Sequence, residues 1–249
     1  MQGNMLQKNY YIIILLGVLV VAGIYFSMFC KKSNVQGDMP FEQTTTLLKE
    51  IYQDKSGFGI PTEETDMIRA QGGAPTYGEI SYQAVDTLLK DLFITDEDVL
   101  YDLGSGVGKV VLQGYLSFPF KKVVGVELSK KRFDQSVEAK NLLKEKGLIN
   151  PKRPIVFVQE DFADSNLDDA TVVYMGSTCY SSELMDTLVK KLAKLKKGLR
   201  VISLKSLPDS EKHNFALVKE YRLPMSWSKS SPVHVYELKE PMVNMQNQT

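Results

Sequence analysis

Three carboxylates and one run of glycines carry most of the chemistry legible in this chain. The glycines stand in Asp102-Leu103-Gly104-Ser105-Gly106-Val107-Gly108, directly after a short apolar run. Glu127 ends a second apolar run 25 residues beyond Asp102, and Asp161-Phe162 follows a third. Glycines let the backbone come close to a ligand. A dinucleotide fingerprint needs a third glycine at the position held here by Lys109, so that reading fails. What stands is Asp-x-Gly-x-Gly-x-Gly, the form of the turn that suits S-adenosylmethionine. Glu127 at the next strand end can take both ribose hydroxyls through charge-assisted bonds. Asp161 can accept from an adenine amino group, and Phe162 can pack on the ring.

The elements needed to position these residues follow from periodicity. Ile80, Ala84, Leu88 and Leu92, with Val85 and Leu89, form one helix face. Val99–Leu103 reads as a buried strand, and a helix starts at Val110–Tyr115. Lys122–Glu127 is a second strand, and Ser129 is placed to cap a helix running to about Lys146. Ile155–Val158, Thr171–Met175 and Leu199–Leu204 read as further strands. Leu184, Leu188, Leu192 and Leu195 mark a helix between the last two, with Gly198 as its C-cap. Phe215–Tyr221 and Val233–Leu238 suit a closing antiparallel pair. Strands alternating with helices imply a doubly wound, Rossmann-like α/β sheet, with ligands at the carboxyl ends of its strands. Together these features specify a class I S-adenosylmethionine-dependent methyltransferase fold over residues 77–240, with 241–249 as a tail.

The 249 residues carry 30 Lys+Arg against 30 Asp+Glu, a neutral balance that gives nucleic-acid binding no strong support. Cys30 and Cys179 are too few for a disulfide scaffold. His213 and His234 lack zinc-finger spacing, so no metal site is expected. Asn9–Cys30 holds 22 residues without a formal charge, bounded by Lys8 and Lys31-Lys32. As a helix this stretch is about 33 Å long, enough to cross a bilayer. Residues 1–32 therefore read as an uncleaved single-pass membrane anchor, and the lysine asymmetry favours a cytosolic catalytic domain. Residues 33–76, dotted with Gly and Pro, read as linker and lead-in, with room for a short helix around Thr46–Gln53.

The block Tyr77-Gly78-Glu79, a helix, Thr95–Asp98 and then Asp102 through Gln113 resembles the non-SET histone-lysine methyltransferases, the disruptor-of-telomeric-silencing family. The likeness continues through Gly125-Val126-Glu127, Asp161-Phe162, Ser226-Trp227-Ser228 and Pro232 to Tyr236, covering about residues 75–240. It implies that Tyr77, Gly78 and Glu79 fold over the methionine part of the cofactor. Asp102, Gly104, Ser105, Gly106 and Gly108 would form the cofactor turn, with Glu127 on the ribose and Asp161-Phe162 on the adenine. Trp227 and Tyr236 would line the channel for the substrate amine, and the chemistry of such a channel adds Tyr180. Where the family has paired asparagines after the fourth strand, this chain has Gly176-Ser177.

The expected function is methyl transfer from S-adenosylmethionine to a lysine of a protein, histone or other, in an aromatic channel. The alternatives are transfer to RNA or to a membrane-associated small molecule, and a non-catalytic sensor of the cofactor.

Overall fold

Each of the seven runs read as strands becomes a strand of one mixed sheet in a computed structural model of the chain, which describes residues 37–242. The candidate membrane anchor, residues 1–32, lies outside the described residues. Among the described residues no helix is long and apolar enough to cross a membrane.

The seven strands are β1 (Val99–Leu103), β2 (Lys122–Glu127), β3 (Ile155–Gln159), β4 (Val172–Met175), β5 (Arg200–Ser203), β6 (Phe215–Met225) and β7 (Ser228–Leu238). Their order across the sheet is β3-β2-β1-β4-β5-β7-β6. β1 to β5 run parallel, and β7 and β6 close the edge antiparallel. The order reverses between β1 and β4, the point at which open α/β sheets bind ligands.

Six α-helices lie among the described residues: α1 (Phe41–Ile51), α2 (Thr62–Ala70), α3 (Tyr82–Asp91), α4 (Lys109–Ser117), α5 (Lys130–Glu145) and α6 (Ser182–Leu192). Residues of α1, α3, α4 and α5 share one buried cluster with one face of the sheet, and α6 shares a second cluster with the other face. Three helices begin on serine caps. Ser81, Ser129 and Ser181 each accept from the backbone N–H three residues on, satisfying one orphan donor of the first turn.

Two expectations need correcting. The stretch read as linker carries α1 and α2, and Leu48 and Ile51 of α1 are buried in the main core at 0% and 2% exposure. The short helix read around 46–53 is the C-terminal half of α1, which starts earlier, at Phe41. Gly198 does not cap α6, which ends at Leu192 with Ala193 as its C-cap. Gly198 adopts φ +83 five residues later and donates to the Leu238 carbonyl at 2.8 Å, so its left-handed turn serves the entry to β5.

Candidate functional site

A cavity of about 310 Å³ opens at the carboxyl ends of β1, β2 and β4. Among the residues lining it are Tyr77, Gly78, Glu79, Asp102, Gly104, Ser105, Gly106, Glu127, Asp161, Phe162, Tyr180 and Trp227. Of the expected site residues, only Gly108 and Tyr236 are missing from its walls.

Glu127 holds the glycine turn. Its Oε2 accepts from the Gly106 N–H at 2.8 Å and its Oε1 from the Ser129 N–H at 2.8 Å. Burial raises its pKa, while those backbone donors and Arg132 pull against the rise. Each oxygen keeps a lone pair for a further donor, the geometry a ribose diol requires. Gly106 sits at φ +55, and an added Cβ would lie 2.8 Å from a Tyr77 ring carbon, so only glycine fits. Gly108 also has positive φ, but it packs against Phe157 below the turn and shapes the turn from behind.

Asp102, at 2% exposure, presents an Oδ1 with no hydrogen-bond partner among the described residues. Burial first, then the neighbouring Glu127, raise its pKa well above the ordinary carboxylate value. A buried, unpartnered carboxylate oxygen facing a cavity calls for a ligand donor. Asp161 folds back on its own turn, with Oδ1 accepting from the Ala163 N–H at 2.8 Å. Phe162 stacks on Tyr180 with ring centroids 5.4 Å apart. The Tyr180 hydroxyl donates to the Leu103 carbonyl at 2.8 Å, so Tyr180 gives the cavity a ring face and not a free hydroxyl.

The Tyr77-Gly78-Glu79 loop is tied down from two sides. Tyr77 donates to Glu79 Oε1 at 2.8 Å, and Lys109 donates to Glu79 Oε2 at 2.7 Å. On the other side, Ser226 donates its N–H to the Glu79 carbonyl at 2.7 Å, and the Glu79 N–H donates to Ser226 Oγ at 2.9 Å. These bonds bring the β6–β7 turn onto the loop and lay the Trp227 ring over Gly78, where an added Cβ would meet it at 2.4 Å. Trp227 remains 48% exposed, a wall at the cavity mouth.

Tyr236 does not reach the cavity. Successive residues of a strand face opposite sides, and on β7 Val233 and Val235 join the cluster on the cavity side. Tyr236 points the other way, into the α6 cluster, and its hydroxyl accepts from the Leu207 N–H at 3.2 Å. It is a core tyrosine.

Sequence reasoning passed over Arg132, Lys109 and Tyr174. Arg132 donates to the Gly57 carbonyl at 2.9 Å and the Pro75 carbonyl at 2.7 Å, and lies 5.0 Å from the Tyr77 ring centroid. One guanidinium thus bolts the lead-in to the cavity. Glu64 of α2 accepts from Ser129 Oγ, adding a second tie. An arginine in the first turn after a serine cap was the available signal. Lys109 was visible as the residue directly after the glycine turn.

The sheet order, the switch-point cavity and the glycine turn define a class I methyltransferase fold. An RNA methyltransferase from Salinibacter ruber, solved with S-adenosyl-L-homocysteine, superposes at a TM-score of 0.51 and 22% identity, over 67% of this chain and 97% of that one. Geranyl diphosphate C-methyltransferase from Streptomyces coelicolor A3(2) gives 0.51 at 14% identity, over 73% and 99%. At these identities the likeness shows the fold alone. The family model described as histone methylation protein DOT1 matches residues 67–236, and the chain belongs to that family.

A Drosophila melanogaster histone-lysine N-methyltransferase, H3 lysine-79 specific, is 32% identical over 136 residues, covering 52% of this chain and 7% of the relative. A protein-lysine N-methyltransferase of Saccharolobus islandicus is 30% identical over 121 residues, covering 49% of this chain and 70% of the relative. This chain matches only 7%, 15% and 27% of the length of three H3 lysine-79 enzymes.

Proposed function

We propose that the chain is an S-adenosylmethionine-dependent methyltransferase acting on a lysine of a protein. The observation that carries this reading is the unpartnered Oδ1 of buried Asp102, in one cavity with Glu127, Asp161 and Phe162. The residues fit the cofactor. Glu127 would hold the ribose, Asp161 and Phe162 the adenine, and Asp102 the methionine ammonium. When bound, the cofactor supplies a methyl group on a sulfonium, whose C–S electron pair leaves with sulfur as the amine lone pair forms the N–C bond.

The chain's own part is positioning and exclusion of water. The Tyr77-Gly78-Glu79 loop and Trp227 narrow the mouth. A lysine is an ammonium at neutral pH and must lose a proton before it can attack. The aromatic walls of Trp227, Tyr174 and Tyr180 disfavour the charged form and lower that barrier. Family membership and the Saccharolobus islandicus relative support a protein substrate. The histone enzymes support a histone as one candidate.

The charge-free stretch Asn9–Cys30 supports membrane anchoring, with the domain on the cytosolic side.

The test uses the full chain with methyl-labelled S-adenosylmethionine and three pools: membrane-fraction proteins, core histones, and RNA with lipids. Label on a protein band, lost in Glu127→Gln, is expected. Label confined to RNA or lipid would overturn the reading.

A further inference from the structure

A row of side chains crosses the sheet beneath the cavity. Strand register sets Gly125, Asp102, Tyr174, Ile202 and Val235 side by side. Only Asp102 and Tyr174 in that row carry polar side-chain atoms. On the Asp102 side lies the glycine turn. On the Ile202 and Val235 side, Met225 and Ile80 of the same cluster lead to the turn that bears Trp227. Tyr174 therefore stands between the cofactor half of the cavity and its aromatic wall.

Of the three tyrosines on the cavity wall, it is the one whose hydroxyl has no partner. Tyr77 donates to Glu79 and Tyr180 to the Leu103 carbonyl, but the Tyr174 hydroxyl has no hydrogen-bond partner among the described residues. Tyr174 is only 7% exposed and still lines the cavity. An unpartnered hydroxyl on a cavity wall is free to take a hydrogen bond from a ligand bound there. Gly176, on the same side of the chain two residues on, would have nothing within 4 Å of an added Cβ, so there is open space beside Tyr174. Burial, then the nearby Asp102, raise the Tyr174 pKa, so the phenol stays neutral at physiological pH.

Resting on the lysine methyltransferase reading of this cavity, we propose that the Tyr174 hydroxyl receives the substrate amine. As acceptor of one amine N–H it fixes the nitrogen in the space beside Gly176 and leaves the lone pair free for the methyl group. The proton that the incoming ammonium must shed leaves through water at the mouth. The phenol keeps its own proton throughout. Tyr174 thus supplies a polar contact for an amine between the cofactor half of the cavity and its aromatic wall.

Tyr174→Phe keeps the ring and deletes only the hydroxyl. In the full chain, three quantities are compared with wild type: the Kd for S-adenosylhomocysteine by calorimetry, the melting midpoint, and kcat and KM for transfer to the labelled protein pool. The expected result is a loss of about tenfold or more in kcat/KM, the worth of one hydrogen bond, with Kd unchanged and the midpoint unchanged or raised. Wild-type turnover in the variant would overturn the proposal. So would a parallel loss of S-adenosylhomocysteine affinity, which would assign the hydroxyl to the cofactor. If wild type binds S-adenosylhomocysteine but labels no protein, the functional reading itself fails and this proposal falls with it.

Discussion

At the scale of single residues, the two carboxylates beneath the cavity are held in opposite ways. Glu127 accepts from two backbone N–H groups, whereas Asp102 Oδ1 has no partner among the described residues. Burial raises the pKa of both, and for Asp102 the Glu127 charge adds to the rise. A carboxyl whose folded-state pKa is raised keeps its proton in the folded chain after the unfolded chain has released it. That window opens above about pH 4, and stability falls as pH rises through it. Asp102→Asn removes the charge and keeps the shape. Thermal melts of the ligand-free variant are expected to exceed wild type at pH 7 and to match it near pH 4. Calorimetry should show weakened cofactor binding. Equal midpoints at both pH values would remove the raised Asp102 from the account.

Residues also differ in how much of their role the sequence discloses. The glycine turn, Glu127 and Asp161-Phe162 were legible because backbone freedom and a strand-end carboxylate are each set by residue type and spacing. Tyr174 was not. It sits inside an apolar run, and only the register that pairs it with Asp102 shows that its hydroxyl meets the cavity.

At the scale of elements, strand parity and hairpin length decide the channel wall. The β6–β7 hairpin extends to Met225 and Ser228, beyond the runs legible as strands, because Arg222, Lys229 and Ser230 are exposed at a sheet edge and break the apolar pattern. That extension carries Trp227 to Gly78. On the same hairpin, a one-residue difference in facing puts Tyr236 in the α6 cluster and Val235 in the cluster that holds Tyr174. Tyr236→Phe deletes one hydrogen bond to the Leu207 N–H, a loss of about 1 kcal/mol in stability. Denaturant titration should register that loss while kcat stays within about twofold of wild type. A loss of turnover with unchanged stability would return Tyr236 to the channel.

At the scale of the whole molecule, the methyltransferase sheet is not independent of what precedes it. α1 buries Leu48 and Ile51 in the main core, and Arg132 joins the lead-in to the cavity through the Gly57 and Pro75 carbonyls. Ile51→Ala should cost about 2–5 kcal/mol, the range for emptying a packed aliphatic site, and a shift in the urea midpoint would measure it. A cost under about 0.5 kcal/mol would mean that α1 is a detachable leader. The parallel sheet was readable from alternating apolar runs. The docking of α1 and α2 was not, because it depends on long-range contacts to α4 and α5 with no local signature.

The most direct measurement is the identity of the methylated group. The full chain is incubated with methyl-labelled S-adenosylmethionine and mixed cellular proteins, and the labelled protein is hydrolysed to amino acids. The account predicts label in Nε-methylated lysine, abolished by Glu127→Gln. Label in methylarginine or another amino acid, or recovered only in RNA or lipid, would contradict it.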